Sequence, residues 1–187
     1  ETSDEPAKGE KIKSTSCILP WVELQITPSG QVKTCCEQTE SYSDDPRADL
    51  LTQFQTSPKA VKTRRLLMEG GEPSPCQRCL KNSSETKTYK TVKDKIWRSR
   101  LEVVAERSDD FGGTTSPVRF LDLRFSNLCN FACRMCDSYN SSQWKRFDRV
   151  VDRTSMPLQR WDQDPKVMDG ILRLLPEVEE IYFAGGE

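Results

Sequence analysis

The sequence predicts a mixed α/β fold, in which a small α+β module precedes the first strands and helices of a parallel α/β sheet. Three observations predict it: a hairpin pattern near the start, a strand–loop–helix–strand order near the end, and a glycine-rich break between them. We divide the 187 residues into a disordered tail at 1–16, which offers little to bury, the module at 17–110, a linker at 111–117 and the sheet unit at 118–187.

The module opens with a predicted β-hairpin. Apolar and polar residues alternate over 21–27, Pro28-Ser29-Gly30 supplies turn chemistry, and 31–35 can return as the second strand. This hairpin brings Cys17 back toward Cys35.

Two helices are predicted after the hairpin. Ser57-Pro58 is a helix start, and Gly70-Gly71 ends that helix just before Cys76 and Cys79, which we expect on a tight loop. A partly apolar face along 86–107 predicts a second, linking helix.

The sheet unit has its own order of elements. A strand is predicted at 118–125, a helix at 138–151, a helix that starts at Asp164-Pro165, and a strand at 180–184. We expect the two strands to be parallel, so that the loops after them lie at one edge of the sheet.

Composition favours a polar protein of the cytoplasm. Lys and Arg number 28 against 29 Asp and Glu, which gives no electrostatic argument for a nucleic-acid or membrane partner. No apolar run approaches the roughly 20 residues of a membrane helix, and the start lacks the apolar core of a secretory signal.

The chain has eight cysteines and no histidine. Without signs of secretion, thiolate metal ligands are favoured over disulfides. The cysteines fall in four places, which suggests two metal centres: Cys17, the pair Cys35-Cys36, Cys76 with Cys79, and the run Cys129, Cys133 and Cys136.

The last run has the spacing C-x3-C-x2-C, which lets three thiolates on one short loop hold a cubane cluster and leaves its fourth iron open. The alternatives are a zinc site or free thiols. Without histidine, zinc would need a fourth thiolate from elsewhere in the chain.

This spacing after a strand at 119–125 resembles the radical S-adenosylmethionine superfamily, in which the motif follows the first strand of a partial (β/α)6 barrel of the TIM type. The resemblance implies a 4Fe–4S cluster on Cys129, Cys133 and Cys136 that binds S-adenosylmethionine and cleaves it reductively. The resulting 5′-deoxyadenosyl radical abstracts hydrogen from a substrate. Met135 stands where the family often has an aromatic residue, and its thioether can pack against adenine.

A second motif supports the resemblance. Gly185, Gly186 and Glu187 look like the GGE motif of the same family, whose backbone and glutamate meet the amino group of the methionine moiety. In this interpretation the three residues bind the cofactor.

The upstream cysteines are similar in order to the auxiliary-cluster modules called SPASM and Twitch, which usually follow the barrel rather than precede it. The resemblance implies a second, closed 4Fe–4S cluster on Cys17, Cys35, Cys76 and Cys79, suited to electron transfer. A zinc ribbon is the alternative. Cys36 is either a small buried thiol or a ligand in place of Cys35.

The resemblance therefore implies an enzyme acting on a peptide or other sizeable substrate, with a reductant such as flavodoxin or ferredoxin. The rival hypothesis is a non-catalytic metal-binding module, with zinc or an iron–sulfur cluster, that transfers electrons or serves as a scaffold. Two parallel strands leave faces and edges uncovered, so we expect a further segment or chain to complete the barrel and this chain alone to be inactive.

Two further groups have structural and functional interpretations. Arg119 and Arg124 alternate with apolar residues on a strand and can either reach a carboxylate or form ion pairs. The tryptophans are expected mainly in the core: Trp21, Trp97, Trp144 and Trp161.

Overall fold

The computed structural model describes residue 12 and the ranges 17–81, 89–150 and 157–184. These residues form a mixed α/β structure with one four-stranded sheet. The strands are β1 (Glu23–Ile26), β2 (Val32–Lys33), β3 (Phe120–Leu123) and β4 (Glu180–Phe183). The helices are α1 (Leu50–Thr56), α2 (Pro58–Met68), α3 (Gln77–Lys81), α4 (Tyr89–Trp97), α5 (Leu101–Glu106), α6 (Lys145–Asp148) and α7 (Pro165–Leu174).

The sheet has the order β2-β1-β3-β4. Strand β1 pairs antiparallel with β2 and parallel with β3, and β3 pairs parallel with β4. The parallel pair β3–β4 confirms the expected orientation of the second unit. The pairing of β1 with β3 is a feature that the sequence analysis missed. It means that one sheet continues across the linker predicted at 111–117, so the hairpin and the later strands share a common scaffold.

The predicted hairpin is present. Gln25 lies opposite Lys33 and Ile26 opposite Val32, and the amide of Gly30 donates to the carbonyl of Thr27 at 2.8 Å. Gly30 has a φ of +81°, in the left-handed region that a glycine adopts without strain.

Two helix starts are confirmed by their side-chain caps. Ser57 accepts a hydrogen bond from the amide of Ala60 at the start of α2, and Asp164 accepts one from the amide of Lys166 at the start of α7. Helix α1 was not predicted, although its cap follows the same chemistry: Asp49 accepts from the amide of Thr52.

Three other predictions need correction. Cys79 lies within helix α3 rather than on a loop, because Pro75 occupies the first turn of a 3-10 segment, Ser74–Cys76, that leads into that helix. The linking helix predicted at 86–107 is divided, in its described part, by the 3-10 turn Arg98–Arg100.

The helix predicted at 138–151 is the third case, because only a 3-10 turn at Ser142–Trp144 and the short α6 form among its described residues. The hydroxyls of Ser141 and Ser142 bond to the backbone of the preceding loop instead of supporting an earlier helical turn.

Two apolar cores flank the sheet. The first covers one sheet face with α1 and α7, and its buried members include Leu24, Ile26, Leu50, Phe54, Leu121, Leu123, Val167 and Ile171. The second lies around the start of β1 and includes Ile12, Leu19, Trp21, Trp97, Val104 and Phe120. Ile12 belongs to the tail predicted at 1–16, whose other residues lie outside the described part of the chain.

A buried arginine ties the hairpin region to the linker. Arg64 is fully buried and donates to the backbone carbonyls of Pro20, Phe54, Gln55 and Gly112. Within the described ranges, no helix is both long enough and apolar enough to cross a membrane.

Candidate functional site

The loop that carries Cys129, Cys133 and Cys136 follows β3 at the carboxyl end of a parallel strand. Cys129 and Cys136 are partly buried, whereas Cys133 is exposed. Two of these cysteines are therefore partly covered by protein and one is exposed, so the loop is accessible from outside.

Three side chains hold the backbone of this loop. Ser142 Oγ accepts from the amide of Cys129 at 3.3 Å and donates to its carbonyl at 3.2 Å. Ser141 Oγ donates to the carbonyl of Phe131 at 2.6 Å, and Trp144 Nε1 donates to that of Cys133 at 3.0 Å. These three side chains thus fix the loop through its main chain.

Asn127 fastens the base of the loop. It is fully buried, and its Nδ2 donates to the carbonyls of Ser138 and Pro157, both at 3.1 Å. Its Oδ1 accepts from the amide of Gln159 at 3.1 Å. Asn127, Ser141 and Ser142 were not predicted from the sequence. The one signal for them in the sequence is that they lie near the cysteine run along the chain.

The thiols of the loop influence one another. The pKa of Cys136 is raised, first by desolvation and then by the nearby Cys133 and Cys129. The amide of Phe131 donates a hydrogen bond to Cys129 Sγ at 3.4 Å. A cation bound by these cysteines would offset the mutual repulsion of their thiolates.

The predicted cofactor-binding residues are placed only in part. Met135 lies on the same loop and is 94% exposed, so its thioether is free to contact a ligand. Gly185, Gly186 and Glu187 lie outside the described residues. The preceding residue, Ala184, donates its amide to the carbonyl of Leu123, so the chain reaches the end of β3 just before them.

The four upstream cysteines line one pocket, together with Leu19, Glu37, Gln38 and Leu80. Cys17 precedes the 3-10 turn Leu19–Trp21, Cys35 follows β2, and Cys76 and Cys79 lie at the start of α3. The amide of Thr39 donates to the carbonyl of Pro75, which joins the hairpin segment to the α3 segment. Cysteines from three separate parts of the sequence thus share one space.

Burial and mutual proximity perturb these thiols as well. Desolvation, then Glu23 and Cys17, raises the pKa of Cys35 well above its ordinary value. Desolvation and then Cys79 raise the pKa of Cys76 to about 11. A raised pKa keeps these thiols protonated, so a metal that bound here would have to displace their protons.

Cys36 does not line this pocket. Its pKa is raised to about 12 by desolvation and then by Glu23 and Glu37, while Arg124 lowers it. Its thiol therefore lies among charged groups on the sheet side rather than with the four pocket cysteines. This placement favours the interpretation of Cys36 as a partly buried thiol.

The two cysteine groups lie toward opposite ends of the parallel strands. Lys33 is opposite Gln25, which places Cys35 near the start of β1, whereas Cys129 follows the end of β3. Across residues 12, 17–81, 89–150 and 157–184, no group of three or more Cys, Asp or Glu side chains is placed to hold a single metal ion.

Comparisons with known proteins add no identification. No family model matches the chain, and neither the curated proteins nor the solved structures give a match.

Proposed function

We propose that this chain holds two 4Fe–4S clusters and acts as a radical S-adenosylmethionine enzyme on a peptide or other sizeable substrate, in the cytoplasm. One observation carries the proposal. Seven cysteines form two separate groups, a three-cysteine loop at the carboxyl end of a parallel strand and a four-cysteine pocket. A 4Fe–4S cluster with one open iron needs three thiolates, as the loop offers, and a closed 4Fe–4S cluster needs four, as the pocket offers.

The donor set of the loop suits the first cluster. Cys129, Cys133 and Cys136 would hold three irons and leave the fourth open. When bound, such a cluster supplies the electron that cleaves S-adenosylmethionine into methionine and a 5′-deoxyadenosyl radical, which takes hydrogen from the substrate.

The residues around the loop would position this group. Ser142 and Trp144 hold the main chain at Cys129 and Cys133, so each sulfur keeps its place when a ligand binds. Met135 offers an exposed thioether to the adenine. We propose that β3 and β4 are the first strands of a partial barrel, with the β1–β2 hairpin paired at its edge.

The donor set of the pocket suits the auxiliary cluster. In an iron–sulfur core each thiolate binds a different iron, so the ligands surround a volume. A tetrahedral zinc, at about 2.3 Å from each sulfur, instead draws its four ligands together at one point. Four cysteines line a common pocket and so offer the four thiolates that a closed cluster needs.

Product formation tests the catalytic part of the proposal. Because this chain alone is expected to be inactive, the protein is reconstituted anaerobically with iron and sulfide together with the segment or chain that completes the barrel. It is then given S-adenosylmethionine and a reductant (dithionite, then flavodoxin) and assayed for 5′-deoxyadenosine. We expect reductant-dependent product that disappears in Cys133→Ala and persists in Cys36→Ala, the matched control. Equal product from both variants would contradict the assignment of the loop.

A non-catalytic metal-binding module is the second candidate, because four thiols around one pocket also provide an all-cysteine donor set for zinc. Metal analysis separates the two. Zinc without acid-labile sulfide, in protein purified without air, would favour the module.

A further inference from the structure

The second face of the sheet is apolar at Phe120, which belongs to the second core, and polar farther along β3. Along β3, Leu121 and Leu123 point into the first core, so Asp122 faces the other side. The strand register places Gln25, Asp122 and Tyr182 in one row across β1, β3 and β4. Gln25 and Asp122 are 2% and 1% exposed, respectively, so two polar side chains are buried on this face.

Asp122 holds Arg124 in place. Its Oδ1 accepts from Arg124 Nε at 3.4 Å and its Oδ2 from Arg124 Nη2 at 3.3 Å, while Gln25 Nε2 also donates to Oδ2. The pKa of Arg124 is raised, since burial lowers it but the carboxylate of Asp122 more than offsets this. The guanidinium is therefore charged and oriented before any ligand arrives.

Arg124 has hydrogen-bonding capacity left over. A guanidinium has five N–H donors, and Asp122 takes two of them, which leaves those on Nη1 and one on Nη2. Asp122 is the hydrogen-bond partner of this guanidinium among the described residues, Cys36 and Tyr182 lie near enough to raise its pKa, and its side chain is 24% exposed. The remaining donors form the fork that matches the two oxygens of a carboxylate.

We propose that Arg124 is a binding residue for a carboxylate ligand on the polar face of the sheet. Arg124 lies directly after β3 and shortly before Cys129 along the chain, close to the cysteine loop. Tyr182, half exposed on β4, lies near enough to interact with Arg124 and offers a hydroxyl to the same ligand. The inference goes beyond the proposed function, because this binding needs no cluster.

Binding of a small carboxylate tests the inference directly. The full chain, with arginine Nε labelled with nitrogen-15, is titrated with N-acetylglycine and, as the uncharged matched control, N-acetylglycinamide. We expect saturable shifts of the Arg124 Nε signal with the acid only. Because Arg124→Gln lacks this signal, its affinity is compared with that of the unmodified chain by calorimetry and should be at least about tenfold weaker. The variant Arg124→Lys keeps the positive charge and should retain weak binding. The Nε signal that is missing from its spectrum is assigned to Arg124.

Arg119→Gln is the control variant, because Arg119 also flanks β3 but pairs with Glu179 at 2.6 Å. It should bind N-acetylglycine as the unmodified chain does. No saturable shift in the unmodified chain, or unchanged affinity in Arg124→Gln, would overturn the proposal.

The carboxylate has two sources to distinguish: S-adenosylmethionine and the peptide or other substrate that loses hydrogen. A competition arm distinguishes them in the reconstituted protein. If S-adenosylmethionine displaces N-acetylglycine and decarboxylated S-adenosylmethionine does not, the cofactor supplies the carboxylate. If neither compound displaces the probe, or if both do, Arg124 does not recognise the carboxylate of the cofactor, and the substrate that loses hydrogen is the remaining source. The cluster content of the same samples is measured separately. A failure of cluster assembly, which would contradict the proposed function, is thereby distinguished from a failure of carboxylate binding at Arg124.

Discussion

Gln25 on β1 donates a hydrogen bond from its side chain to the carboxylate of Asp122 on β3, across 97 positions of sequence. Both side chains are buried, and the contact joins the strand of the hairpin to the strand that leads into the cysteine loop. The relative placement of the two cysteine groups therefore depends on a polar contact within the sheet as well as on its backbone pairing.

Removing this contact should destabilise the protein. Gln25→Met keeps the length of the side chain but leaves Asp122 with one fewer donor, so we expect the free energy of unfolding in urea to fall by about 1–3 kcal/mol. Gln31→Met is the control, because Gln31 donates to Asp44 at an exposed position and should cost less than about 0.5 kcal/mol. Equal losses in the two variants would contradict a special role for the buried contact.

The indole of Trp144 should determine how firmly the cysteine loop holds its metal. Trp144→Phe preserves an aromatic ring beside Phe147 but removes the hydrogen bond to the carbonyl of Cys133. We expect iron to pass to a chelator several-fold faster in this variant of the reconstituted protein. The control Phe147→Leu disturbs the same ring pair but keeps the hydrogen bond from Trp144 to Cys133, so its rate of iron release should equal that of the unmodified chain. An equal rate in Trp144→Phe would refute a role of the indole in holding the metal.

Acid should weaken the attachment of α7. The hydrogen bond from Arg47, at 2.5 Å, lowers the pKa of Asp164, and the amide of Lys166 contributes further. A carboxylate with a lowered pKa in the folded state stabilises it above the unfolded pKa of about 3.9, and this stabilisation is lost as the pH falls through the folded pKa.

Thermal unfolding across pH measures this effect. Asp164→Asn should have a lower Tm than the unmodified chain near neutral pH, and the two should converge in acid below the folded pKa. Arg47→Gln should show the same trend, because it removes the partner. A constant difference in Tm at every pH would rule out the carboxylate as its source.

Local chemistry explains which parts of the fold were predictable. The turn at Gly30 and the caps Ser57 and Asp164 act on residues next to them, so the hairpin and the starts of α2 and α7 could be predicted. The pairing of β1 with β3 could not, because a parallel pair has no connecting turn and its contact between Gln25 and Asp122 spans distant positions.

The candidate site was predictable to a similar extent. The hairpin pattern indicated that Cys17 approaches Cys35, whereas the grouping with Cys76 and Cys79 came from a resemblance, and the structure places all four around one pocket. Asn127 could not be identified, because its role depends on carbonyls from later segments that only the folded chain brings near it.

Counting iron and sulfide in the anaerobically reconstituted protein tests the central claim most directly. We predict about eight of each per chain, falling to about four in Cys133→Ala and to about four in Cys76→Ala, with about eight retained in Cys36→Ala. Separate losses of this kind would show two independent clusters on the two cysteine groups. Zinc without sulfide, or an iron content unchanged by both Cys133→Ala and Cys76→Ala, would contradict the account.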